Sequence, residues 1–401
     1  MNKRVPDEYA ETEKIWNNQF ICVFLANAMM YLGQYMVQTL VTKYAKELGA
    51  EPSVLGIVAS AFALTALVFK LISAPALDAF KRKYVIFGAM LVLAGAFFGY
   101  SFAKSVEMVI GFRLLQGAAQ AFTATGYLAM ATDALPKSKI TSGISVFTLA
   151  QTICMAVSPA IGLAIADRYG FPMTFITASV LVCTASVLSL RIKPSSRPRK
   201  HFAIIPKNFI AKQALLPGVL MFLLLVPSCL INSYLVIYAT DIVGITGIGT
   251  YFTVNTLVLL FTRPLLGKLT DKRGFTLVFI PALCMFAVSY FIISYATTLP
   301  VFLLAAVIAA FGNGICSPLI NSLAMKSVPP ESRGAASSTA YMGTDLGNLV
   351  GPSVGAAIIG VMGYSNMWRV MTVPIFLTIG ITLLARKKIV NIEKAQLRDE
   401  R

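Results

Sequence analysis

The chain has 401 residues, of which 57% are hydrophobic and 13% charged, and its mean hydropathy is +0.75. A soluble domain carries about 25% charged residues, so the composition excludes a water-soluble globule and points to a bilayer. The net charge of +17 raises nucleic acid as a partner, but that reading needs a basic soluble domain, and the bases are distributed as a membrane protein distributes them.

The segment before Trp16 is polar and mixed in charge, and the first apolar run is long with no small-residue cleavage pattern behind it, so no cleaved signal peptide is expected. About 20 apolar residues span the roughly 30 Å of hydrocarbon as a helix. Twelve such runs follow, near 17–41, 53–77, 84–103, 108–132, 141–166, 172–190, 214–239, 248–267, 275–296, 300–324, 336–361 and 369–385. The longest polar stretch, Arg191 to Lys212, joins the sixth run to the seventh. The expected organisation is an N-terminus (1–16), a six-helix half (17–190), a basic linker (191–213), a second six-helix half (214–385) and a tail (386–401). The expected fold class is an all-α polytopic membrane protein of twelve transmembrane helices in two pseudo-symmetric six-helix bundles.

With both termini in the cytoplasm, 26 of the 34 Lys and Arg fall on the cytoplasmic side, five outside (Lys43, Lys46, Lys104, Arg168, Arg369) and three within spans (Lys70, Arg113, Arg263). This asymmetry follows the positive-inside rule and predicts a multi-pass protein of the cell membrane. The linker bases then serve topology and lipid headgroups. All six cysteines lie singly inside spans, and the one histidine, His201, is in the linker. No metal site, disulfide framework or cofactor is expected. No segment outside the spans is long enough to fold by itself, which suggests a monomer.

Polar side chains inside spans are costly unless they face protein or water. Span 1 aligns Asn27, Tyr31, Gln34 and Gln38 on one helical face, and span 4 aligns Arg113, Gln116, Gln120, Thr123 and Tyr127. Span 11 aligns Ser338, Tyr341, Asp345, Asn348 and Pro352. Asn232, Asn313 and Asn321 add to these from spans 7 and 10, whereas spans 3, 6, 9 and 12 have neither amide nor charge in their interiors. Those third helices are expected to face lipid while the others surround a polar cavity, lined also by Tyr35, Tyr127 and Tyr234. The two tryptophans, Trp16 and Trp368, are expected at span ends as interfacial anchors.

A charged loop occurs twice, 193 positions apart. The first copy runs from Lys70 through Ala74-Pro75-Ala76-Leu77-Asp78 to Lys81-Arg82-Lys83, the second from Arg263 through Gly267-Lys268-Leu269-Thr270-Asp271 to Lys272-Arg273-Gly274. The repeat divides the chain into related halves, a frequent construction in secondary transporters. On these residues the chain resembles the major facilitator superfamily from about residue 15 to 388, and within it the drug/metabolite:proton antiporter branch. The second loop matches the family's G-x-L-a-D-[RK]-x-G; the first has Ala74 and Lys81 at the glycine positions but keeps Asp78. Arg113-Leu114-Leu115-Gln116-Gly117 matches R-x-x-Q-G. The antiporter motif G-x-x-x-G-P-x-x-G is complete at Gly347, Gly351, Pro352 and Gly355 and partial at Pro159 and Gly162, again 193 apart. The resemblance implies gating by Lys70, Asp78, Arg82, Arg263, Gly267, Asp271, Arg273 and Gly274, with helix packing and bending at the proline-glycine segments.

Asp345 is the one acid deep within an expected span. Desolvation disfavours its charged form, which makes it the candidate for proton coupling, with a permanent ion pair as the alternative; Arg113 is its counterpart in the other half. One acid, one arginine, amides and tyrosines suit a small amphipathic organic solute. No G-x-x-x-x-G-K-[ST] occurs, so an ion gradient, with protons foremost, is the expected energy source. The leading reading is alternating-access efflux by proton antiport, ahead of proton-coupled uptake by symport. A transport-inactive sensor on the same fold is the reading from another class. An intramembrane enzyme is not expected, since Asp345 has no intramembrane histidine or nucleophile pair beside it.

Overall fold

The computed structural model describes residues 15–135, 140–192, 211–328 and 333–399. Most of the linker, with His201, lies outside them, as do the side chains of Asp78 and Asp271. The described chain is helical, without a strand. The first half comprises α1 (Asn18–Glu47), α2 (Pro52–Ala79), α3 (Arg82–Tyr100), α4 (Val106–Ala134), α5 (Ile140–Tyr169) and α6 (Phe171–Ser189). The second comprises α7 (Leu215–Ile237), α8 (Gly249–Arg273), α9 (Phe275–Tyr295), α10 (Leu299–Lys326), α11 (Arg333–Val370), α12 (Thr372–Leu384) and α13 (Arg386–Asp399).

Local signals set the helix ends. The Asn17 side chain accepts from the Phe20 amide and caps α1, and its own amide donates to the Ala134 carbonyl at the end of α4. Proline opens α2, α6 and α10 at positions where a missing N–H costs nothing. Gly274, the closing glycine of the second loop, separates α8 from α9 with φ 84°, a conformation that favours glycine. Gly363 (φ 78°) folds α11 back on itself, so the last traverse starts at about residue 364 and not 369.

Nine described segments are long and apolar enough to cross a membrane, one of them, Ala336–Leu384, being the pair folded at Gly363. Helices α4 and α8 have the length, 29 and 25 residues, but are diluted by internal polar groups. The protein is therefore a multi-pass membrane protein. The tail forms α13, anchored through buried Ile389, where the sequence suggested no element.

Helices α3, α6, α9 and α12 pack at the periphery, and large apolar side chains such as Leu91, Val180, Leu277 and Phe376 are exposed on them. Trp368 departs from expectation: it is fully buried against Tyr238 and Tyr290, because the helix that follows Gly363 turns it into the bundle. Trp16 is exposed, as an interfacial anchor would be.

The halves meet through α1–α7, α2–α11 and α5–α8. Thr42 donates to the Ser233 carbonyl, Thr253 to that of Ala156, and Ser60 meets Ser353 at 3.3 Å. Lys46 reaches Asp241 at 2.8 Å. Gly56 lies so close to α11 that a Cβ there would fall 2.7 Å from that of Ala356. Among the described residues these contacts occupy mid-depth and the end where the loops are short. The cleft between the halves thus closes at the short-loop end and opens toward the charged-loop end. With Ser60→Cys and Ser353→Cys in a cysteine-free background, mild oxidation is expected to crosslink α2 to α11 and arrest transport; a pair that stays unlinked would show that these helices do not meet there.

Candidate functional site

Helices α2 and α11 run antiparallel, and ten residues beyond Ser60, about 15 Å along the axis, α2 presents Lys70 to Asp345. The Lys70 ammonium bonds both carboxylate oxygens, at 2.9 and 2.8 Å. The Asp345 side chain is 14% exposed and that of Lys70 34%. Lys70, expected among the gating residues, is thus partner to the acid expected to couple protons, and the pair joins the two halves.

Aromatic groups extend from this pair across the cleft. The Lys70 nitrogen lies 5.7 Å from the centroid of Tyr341, which is half exposed and within electrostatic range of Tyr31. Tyr31 stacks on Tyr35 at 5.9 Å, and the Tyr35 hydroxyl accepts from Gln151 of α5 at 3.1 Å. Arg263 of α8 is exposed, lies within electrostatic range of Tyr35, and donates from Nε to the Gly314 carbonyl at 3.3 Å. Five helices therefore contribute to one site at mid-depth.

Arg113 lies in a separate, sealed layer. It is 3% exposed, donates to the Val58 and Ala59 carbonyls of α2 and to Gln116 at 3.0–3.1 Å, and faces the Phe62 ring. Gln116 donates to Gln34 and accepts from Tyr100. The R-x-x-Q-G signature here binds α4 to α1, α2 and α3. Asn27, Gln34 and Gln116 are correspondingly buried instead of lining an open cavity. Asn27 Nδ2, Gln34 Nε2 and Gln120 Oε1 are buried without a partner among the described residues.

Two expected cavity tyrosines are also packing groups. Tyr127 is buried with its hydroxyl 2.6 Å from Ser189, and Tyr234 is buried and donates to the Pro352 carbonyl. Each ring fills the space between two helices of its own half. In the second half Asn313 accepts from Ser228, while Gln38, Asn232, Asn321 and Asn348 are partly exposed and make no hydrogen bond among the described residues.

The small residues of α11 serve close packing: Gly347, Gly351 and Gly355 lie against α7, and Gly162 lies against Met36 and Leu40 of α1. In the first loop Arg82 pairs with Asp133 at 2.7 Å and donates to the Leu77 carbonyl, tying the start of α3 to the ends of α4 and α2. Sequence reasoning missed Asp133 because it stands at a helix end. It also missed Asp241, which receives Lys46 and lies 4.0 Å from Lys43; only adjacency of the two short-loop ends would have indicated that contact.

A two-half helical bundle with a polar site at mid-depth between the halves is the architecture of a membrane transporter. The sequence model of the Major Facilitator Superfamily matches residues 23–352 and 230–399, and the chain belongs to that family. It is 24% identical over 375 residues to an uncharacterized MFS-type transporter of Methanocaldococcus jannaschii, covering 89% of this chain and 95% of that one. It is 25% identical over 301 residues to the multi-drug resistance efflux pump PmrA homolog of Lactococcus lactis, covering 72% and 74%. Among solved structures it is similar to a bacterial homolog of the human lysosomal transporter Spinster in its inward-facing, unoccupied conformation, with a TM-score of 0.79, 14% identity, and 95% and 99% of the two chains covered.

Removing one member of a buried pair strands the other, whereas replacing both leaves no unpaired charge. Lys70→Met and Asp345→Asn are each expected to lower the melting temperature of the purified protein, and the double variant to recover part of the loss. A coupling energy of about 1 kcal/mol is expected for a pair this accessible; strictly additive losses would mean the pair contributes nothing.

Proposed function

We propose that the chain exports a small amphipathic organic solute by proton antiport, with Asp345 as the proton-carrying group. The observation that carries this reading is the Lys70–Asp345 pair, which joins the two moving halves inside the solute cleft. A proton antiporter that has released its proton inside needs an ionised acid, a group to hold it, and a cleft open to the cytoplasm. Placing the charged loops in the cytoplasm, as the positive-inside rule directs, gives this arrangement and puts both termini there too. Solute loading and outward release would then be followed by protonation of Asp345 from outside, which frees Lys70 and makes return possible. The efflux names of distant relatives such as the Lactococcus lactis protein support the direction. One chain supplies the cleft helices of both halves, and we take the monomer as the working unit.

The test is accumulation of a panel of amphipathic solutes in cells expressing the wild type or Asp345→Asn, with and without a protonophore. Proton-driven export predicts that the wild type alone depletes some solute and that the protonophore abolishes the difference. Accumulation by the wild type would reverse the direction to uptake. Equal behaviour of the two proteins would make Asp345 a structural acid.

A further inference from the structure

The internal repeat supplies a comparison that the ion pair alone does not. An offset of 193 residues maps Lys70 of α2 onto Arg263 of α8, so the two halves present a base at equivalent positions flanking the cleft. The same offset maps Asp345 of α11 onto Thr152 of α5. The repeat has kept both bases and one acid. Lys70 is matched by Asp345, whereas the position that the repeat offers in place of an acid for Arg263 is a threonine, whose hydroxyl is bonded within its own helix, to the Thr148 carbonyl at 3.2 Å.

Among the described residues Arg263 has no acid to match it. Its one hydrogen bond uses Nε, and no carboxylate among the described residues lies within 4.0 Å of it. Both terminal nitrogens of the guanidinium fork are left for another partner, and the residue is exposed in the cleft. Arg113, by contrast, is buried and engaged with carbonyls and Gln116, and does not offer itself in this way. The described charged groups at the centre, Lys70, Asp345 and Arg263, therefore sum to one excess positive charge, held where an unpaired ion is disfavoured. A planar guanidinium whose two terminal nitrogens are both free fits a carboxylate or similar oxyanion in bidentate fashion. The stacked pair Tyr31–Tyr35 begins beside it and leads toward Tyr341, which provides an apolar, aromatic wall for the remainder of the molecule.

We infer that Arg263 is the anion-binding residue of the central cleft, and that the solute is an organic anion: an oxyanion head on Arg263 and an apolar or aromatic body along Tyr31, Tyr35 and Tyr341. This rests on the reading of the cleft as the solute site, but not on the direction of transport or on protons as the coupling ion. It also assigns the two bases different work, Lys70 holding the acid and Arg263 holding the cargo.

The test uses three probes with one body and different heads: 4-phenylbutyrate, 4-phenylbutanol and 4-phenylbutylamine. Binding to the purified full-length protein is read as thermal stabilisation across a concentration series. The wild type is expected to be stabilised by the carboxylate at lower concentration than by the alcohol or the amine. Arg263→Gln should weaken the carboxylate by about tenfold or more and erase the preference, and Arg263→Lys, which keeps the charge without the fork, should fall between. Should Arg263→Gln not fold, the head-group order of the wild type and the Arg263→Lys comparison decide. Equal response to all three probes, a preference for the amine, no stabilisation by the carboxylate, or an unchanged preference in the Arg263 variants would overturn the inference. Carboxylate binding that depends on Arg263 in a protein with no proton-driven flux would instead sink the export reading and leave this one intact. Proton-driven export of amines or alcohols would do the reverse.

Discussion

A cation and an acid sharing a low-dielectric interior constrain everything around them. Neither Lys70 nor Asp345 can face hydrocarbon alone, so α2 and α11 must turn these faces to each other and their apolar faces outward. Helix α11 can approach α7 on its other side because Gly347, Gly351 and Gly355 remove side chains from that face. Helix α2 is in turn fastened to α4 by Arg113, which takes two of its carbonyls. Each member of the ion pair is thus mounted on a pair of helices, and the pair ties one such mount in the first half to one in the second.

The polar groups divide into a dry set and a wet set. Arg113, Gln116, Gln34 and Tyr100 bond one another inside the first half and hold its helices together. Lys70, Asp345, Tyr341 and Arg263 retain exposure at the cleft and stay available to a solute or to water. The unpartnered amide atoms of Asn27, Gln34 and Gln120 lie in the first half, where water would have to serve them or where another state of the transporter would bring a partner.

Much of this was legible in the sequence, and the reason is periodicity. Apolar runs of membrane length, separated by short polar turns, indicate the spans directly, and the 193-residue offset indicates the two halves. The choice of Asp345 rested on its being an acid in the middle of a span, a property visible without coordinates. Helical spacing indicates that Arg113, Gln116 and Tyr127 share a face but not what that face meets. The face of α4 turned out to pack on neighbouring helices, and Tyr127 meets Ser189 of α6. Which base would reach Asp345 was not legible, since 275 residues separate it from Lys70. The burial of Trp368 was hidden for a different reason: it depends on a reversal of direction at Gly363, and a glycine in an apolar run does not announce one.

The connections at the short-loop end have a consequence for how the molecule can be approached. A single residue, Gly170, links α5 to α6, and only positions 48–51 separate α1 from α2. Antibodies, toxins and proteases generally grip protruding segments, and on this face they would find helix ends instead. The surface there is a low relief: Lys43 and Asp167 line a shallow pocket of about 490 Å³, and Lys46 pairs with Asp241 nearby. A reagent made against that side would have to recognise the junction of the two halves itself, and by gripping both it would act as a clamp on the closed conformation and not merely as a label.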